Sequence, residues 1–332
     1  MSPGLAGVKD FAGDLAGHGW EFVRALVRIV WIYLYQARIQ EAIELLGSET
    51  VRRIAEHLDP TDRARLKLAR AQAMQFQTML VRKGHEEALA VVNEVALEAE
   101  QLRDKQLLSD AKCLESWLRI NLELSNGHPS DPVFDPIESC LGLRQELADN
   151  EGIAEALFLR GLAEENVSGR TDADIDKALG TYCESNRLAK KAGDKRIQSY
   201  NAYHMGTIAG RRDNLDQALE LLMSAYNLRA AIGMKVFLPG PCLAVGRTYL
   251  AMDDPANAEA YCRETLRLAD EIGHHAFRFF ALMGLGDVAE AHDEIDIACR
   301  HFEQAAEVGR EIERQAFVER ATGAITNLTN PR

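Results

Sequence analysis

Apolar residues along this chain recur three and four positions apart over long stretches, and almost no segment alternates as a half-buried strand would. Leu215, Ala218, Leu219, Leu222, Ala225 and Tyr226 form one such stripe, which Gly233 stops. Gly, Asp, Asn or Pro punctuate the other stretches in the same way. The periodicity predicts an all-α protein.

A longer period lies over the helical one. Gly206, Gly246 and Gly286 stand 40 residues apart, and the same residue types recur around each. An apolar residue precedes each Gly (Met205, Val245, Leu285), and Ala209, Tyr249 and Ala289 follow three later. Ala218, Ala258 and Ala298 come twelve after it, then Leu222, Cys262 and Phe302 at sixteen and Ala225, Thr265 and Ala305 at nineteen. Another glycine stands thirteen before each one: Gly193, Gly233 and Gly273. The small residues let two antiparallel helices approach closely, and the apolar offsets are one stripe on each helix. Each unit is therefore expected to be a helical hairpin whose outer face only the next unit can bury.

This pattern resembles the tetratricopeptide repeat family, on Leu282, Leu285-Gly286, Ala289, Ala298, Phe302 and Ala305 and their equivalents one and two units earlier. The family's usual unit is about 34 residues, so helices longer by nearly a turn are expected. Such longer units are similar to those of kinesin light chains and of bacterial regulators with TPR sensor regions. The family's proline at the end of the second helix is replaced here by Gly. The resemblance implies a right-handed helical-hairpin solenoid, a TPR-like superhelix.

Weaker copies lie upstream. Gly161 is followed by Ala178 and Tyr182 after the loop NVSGRTDADID, Trp117 lies on another first helix, and Ala88 and Ala42 repeat the alanine role. The expected organisation is a flexible lead-in over 1–19 and a single solenoid over 20–332. Within it, repeats are degenerate over 20–150 and well matched over 151–313, and a capping helix and tail occupy 314–332. This makes about seven helix pairs plus a closing helix.

Composition narrows the function classes. Acids number 51 against 38 bases, a net charge of -13, which argues against a general nucleic-acid or anionic-membrane binder. The six cysteines are dispersed without a C-x-x-C pair, so they are expected to be small core residues in a reducing, cytoplasmic setting. The apolar run Ile29 to Tyr35 is too short to span a bilayer. Trp20, Val23, Val27, Val30, Trp31 and Leu34 form a broad apolar face there; any part left exposed would be a partner or homodimer contact.

No local motif carries chemistry. Gly284-Leu285-Gly286 lacks the strand and third glycine of a dinucleotide loop, since position 289 is Ala. His274, His275, His292, His301 and Cys299 lack a recognised zinc spacing. DADIDK opens like a calcium loop, but Lys177 and Cys183 hold the places needing Gly and Glu, and the acids are expected to cap a helix. No catalytic residue, metal or cofactor is expected.

What remains is a binding surface. If first helices line the concave face, as the resemblance implies, the residues six and three before each Gly and one after it face the groove. These are Phe158, Leu162, Tyr200, Tyr203, Thr207, Leu243, Arg247, Phe280, Met283 and Asp287. Aromatics, Met and Arg along such a strip suit capture of a peptide or helix. The carboxylate clamp of co-chaperone TPR domains is not expected, because its places hold Phe158, Leu162, His204, Gly240 and Ala244. The expected function is a non-catalytic interaction scaffold, with a ligand- or peptide-responsive regulator as the alternative and an enzyme whose site is not visible in the sequence as a third reading.

Overall fold

The computed structural model describes residues 4–81, 84–126, 133–166 and 171–329. Every regular element in them is helical, and the chain divides into two compact units, Met1–Ala192 and Gly193–Arg332.

The first unit begins with α1 (Gly4–Tyr35), which from Gly4 onward takes in the stretch expected to be a lead-in. Two short helices follow, α2 (Ile39–Gly47) and α3 (Glu49–Ala55), then three antiparallel pairs. These are α4 (Pro60–Val81) with α5 (His85–Leu102), α6 (Lys105–Asn126) with α7 (Phe134–Glu146), and α8 (Asn150–Asn166) with α9 (Asp172–Ala192). On α1, Val23, Leu26, Val30 and Leu34 are buried, so most of the apolar face serves the unit's own core. Trp20, Ile29 and Ile32 remain exposed.

The second unit carries the regular repeats. Helix α10 (Lys195–Arg211) pairs with α11 (Leu215–Ala231), α12 (Pro239–Ala251) with α13 (Pro255–Ile272), and α14 (His275–Ala291) with α15 (Ile295–Glu311). A short 3-10 turn, Lys235–Phe237, precedes α12, and α16 (Gln315–Thr329) packs on α15 and closes the unit. Phe317 and Ala321 of α16 join the cluster built from Phe279, Leu282, Met283, Phe302 and Ala305.

The repeated glycine works by making room for the side chain sixteen positions later. A Cβ on Gly206 would lie 2.9 Å from Leu222, and one on Gly246 would meet Cys262 at 3.3 Å. On Gly286 it would overlap the Phe302 ring. Gly161 does the same for Tyr182, whose offset is longer because the intervening loop is longer. Close helix approach and room for one large residue are thus a single device. Gly284, the other half of G-L-G, lies against Cys262 of the preceding pair.

Backbone turns repeat as strictly. Gly193, Gly233 and Gly273 have φ of 75°, 71° and 68°, and Asp213, Asp253 and Asp293 between helices of a pair have φ of 60°, 60° and 58°. Glycine ends the second helix because the left-handed conformation costs it nothing. In the first unit the exposed Ala148, just past α7, adopts φ 53° without that freedom. Ala148→Gly is expected to stabilise the chain by about 0.5–1 kcal/mol, read as a higher denaturation midpoint; an unchanged or lower midpoint would contradict this account.

Two expectations are corrected here. Cys113 of α6 and Cys140 of α7 form a disulfide, with Cα atoms 5.6 Å apart, because the hairpin brings together residues separated by 27 positions. Dispersion along a chain says little about separation in a folded hairpin. The acids of DADIDK do not cap alone: Thr171 is the N-cap of α9, its hydroxyl accepting from the Asp174 N–H at 3.3 Å. Asp174 returns the contact by accepting from the Thr171 N–H at 2.8 Å, which completes a capping box.

Candidate functional site

The first helices of the second unit present a strip of mixed chemistry. Thr207 and Tyr203 of α10 are partly exposed, Arg247 of α12 and Asp287 of α14 are exposed, and Phe280 of α14 is partly exposed. These positions lie on one side because residues six and three before the Gly and one after it share a helical line. The line is not uniformly open. Tyr200, Leu243 and Met283 are buried, with 5%, 4% and 4% of their surface left to solvent. Tyr200 is covered by Phe237 of the 3-10 turn, ring centroids 5.5 Å apart, and Met283 joins the core around Phe302. In the first unit Phe158 and Leu162 are buried as well, Phe158 between Trp117 at 5.5 Å and Tyr182 at 5.9 Å.

Arginines organise the strip. The Arg247 guanidinium lies 5.4 Å from the centre of the Phe280 ring, and Arg320 of α16 lies 5.8 Å from the same ring. Crowding by surrounding protein atoms, which strips water from the guanidinium although the side chain stays open to solvent on one side, and then the neighbouring Arg320 charge, lower the Arg247 pKa. Burial raises the pKa of Asp287 while Arg247 opposes the shift. The two groups sense each other without forming an ion pair.

Arg229 of α11 lies deeper, with 3% of its surface exposed. Its guanidinium stands over Tyr200, Tyr203 and Phe237 at 5.5, 5.0 and 5.7 Å. Nη1 donates to the Phe237 carbonyl at 2.7 Å. The residue four beyond Phe237 is Pro241, which has no N–H to offer that carbonyl, so the arginine supplies the donor. Burial pushes the Arg229 pKa down to about 10. Gly240 leaves space beside it, since a Cβ there would lie 3.6 Å from Nη1 and 3.7 Å from Tyr203.

Sequence reasoning placed Tyr203, Thr207, Arg247, Phe280 and Asp287 on this strip and missed Arg229 and Arg320, which come from a second helix and the closing helix. A signal for Arg229 existed. It continues the apolar stripe after Ala225 and Tyr226, where the next two units hold Ala269 and Gly309.

The other reactive side chains have structural surroundings. His274 caps α14, its Nδ1 accepting from the Phe277 N–H at 3.4 Å. Burial pushes the Cys242 thiol up to about 11 and the Cys262 thiol up to about 12, so both are poor nucleophiles at neutral pH. Among the described residues no group of three or more His, Cys, Asp or Glu converges, and no helix is long and apolar enough to cross a membrane.

Similarity to known proteins lies in the fold. No family model matches the chain, and no curated protein matches it in sequence. Among solved structures, a Rap protein complexed with Competence and Sporulation Factor superposes with a TM-score of 0.62 at 12% identity, over 93% of this chain and 86% of that one. The fold is tetratricopeptide-like. NprR in complex with its cognate peptide NprX gives 0.57 at 11% identity, over 97% of this chain and 91% of that one. A signal transduction ATPase with a tetratricopeptide repeat sensor, from Pyrococcus horikoshii, gives 0.58 at 14% identity over 89% of this chain. The present chain spans 43% of that ATPase.

Proposed function

We propose that this chain is a non-catalytic scaffold whose second unit binds a peptide or helical segment of a protein partner on the strip Tyr203, Thr207, Arg247, Phe280 and Asp287. The supporting observation is that side chains of three successive first helices leave aromatic, cationic and acidic groups accessible side by side within one compact unit. Aromatic and arginine anchors contribute most to such contacts, because they bury large surface with few rotors to order. The buried Tyr200, Leu243 and Met283 of the same unit then support the strip from below.

A second reading is favoured by a specific likeness. Two structures with the same fold hold a signalling factor or a cognate peptide, and a third uses the repeat as a sensor. In that reading binding changes the arrangement of the repeats and so reports the ligand.

Selection from a random peptide library against the full chain tests the proposal. Selected peptides are expected to lose about tenfold or more in affinity to a Tyr203→Ala/Phe280→Ala variant that keeps its helical circular dichroism. Peptides that bind the variant as tightly as the parent would place the ligand elsewhere and overturn the assignment.

A further inference from the structure

The chain is acidic as a whole, yet the proposed strip is not. Three arginines border it, Arg229, Arg247 and Arg320, and among the described residues none has a carboxylate within ion-pair distance. Several surface arginines elsewhere in the unit are paired with acids. Arg263 pairs with Glu259, Arg267 with Glu264 and Glu271, and Arg278 lies near Asp270 and Glu311. In the first unit the buried Arg144 is matched by two carboxylates, Asp110 and Asp149. Acids therefore neutralise some of the chain's arginines away from the strip.

Arg247 and Arg320 also come from different helices, α12 and α16, and converge on one ring. Each guanidinium is within cation–π range of Phe280. Two cations held near one ring repel each other, and the Arg320 charge acts on Arg247 in that sense. An oxyanion placed between them would relieve it and would accept hydrogen bonds from both planar forks. Asp287, one residue past the packing glycine, senses both cations without closing an ion pair.

We propose that Arg247 and Arg320, set around Phe280, form an oxyanion subsite that selects acidic peptides, with the peptide's carboxylate between the two guanidinium groups and its neighbouring side chain on the Phe280 ring. This rests on the peptide-binding reading above and adds the chemistry of the ligand to it. The carboxylate can belong to an Asp or Glu side chain or to the peptide's own C-terminus. Arg229 supports the subsite from a distance, since it underlies the Tyr203 ring and does not reach the surface to the same extent.

The experiment uses the full chain, a random peptide library and the variant Arg247→Gln/Arg320→Gln beside Tyr203→Ala/Phe280→Ala. Peptides selected by the parent are expected to be enriched in Asp and Glu or to require a free C-terminus. They should lose about 10- to 100-fold in affinity to the double glutamine variant, the range for hydrogen bonds between charged groups. Replacing the peptide's acid by its amide should cost the parent a similar factor and cost the glutamine variant little. Amidating the terminus separates the two sources, and dependence on either one supports the subsite. If the selected peptides lack acids, bind the glutamine variant unchanged and still lose affinity to Tyr203→Ala/Phe280→Ala, the subsite is refuted while the strip stands. If no peptide depends on either variant, both readings fail together.

Discussion

Gly286→Ala is expected to destabilise the chain by about 2–3 kcal/mol, although alanine is the better helix former by about 1 kcal/mol. The new Cβ would overlap the Phe302 ring, which is 1% exposed and packed among Phe279, Met283, Ala305 and Phe317, so it has no free direction in which to swing. Overpacking of this kind moves backbone or forces a strained rotamer. Gly180→Ala offers the contrast, because a Cβ there meets nothing within 4 Å in the interior of α9. That substitution is expected to stabilise by about 0.5–1 kcal/mol through helix propensity alone. The same chemical change thus takes opposite signs at two helical glycines, and chemical denaturation followed by circular dichroism reads both. Phe302→Leu removes the ring that the new Cβ would overlap and should recover at least about 1 kcal/mol of the loss when combined with Gly286→Ala. A Gly286→Ala protein as stable as its parent would show that the glycine does not hold the place for Phe302.

The register of these glycines shows what a repeat makes legible. A contact made once in a chain leaves no statistical trace, whereas a contact made every 40 residues leaves Gly206, Gly246 and Gly286 with their partners in step. Helix pairing, the turns at Gly233 and Gly273 and the exposed positions Arg247 and Asp287 all follow from that register. Features made once did not follow. Tyr200 and Met283 share a helical line with Arg247-type positions but are covered, one by a 3-10 turn unique to its unit, the other by the closing helix cluster. Arg320 reaches Phe280 from a helix outside the repeat, and Cys113 meets Cys140 across a single hairpin. Periodicity reveals which face a residue occupies, while the depth of burial there depends on neighbours that do not repeat.

Arg229 separates stability from charge most sharply. Arg229→Ala is expected to destabilise by about 3 kcal/mol, because it opens a cavity beneath Tyr200, Tyr203 and Phe237 and withdraws the donor from the Phe237 carbonyl. Arg229→Met should cost about 1 kcal/mol or less. Methionine refills most of the volume of the arginine shaft and removes an ion that is 3% exposed and lacks a carboxylate. The sign of the charge term follows from linkage. Burial brings the folded pKa down to about 10, below its unfolded value, so the protonated guanidinium opposes folding at every pH beneath that point. Methionine abolishes this penalty, and the cation–π contacts of up to about 2 kcal/mol each that it also abolishes offset the gain. A gap of about 2 kcal/mol between the two variants, measured by denaturant titration at neutral pH, would show that the residue's bulk supports the fold more than its charge does. Equal losses would reverse that ranking and make the cation itself the structural element, held by three rings and by a carbonyl that Pro241 cannot serve.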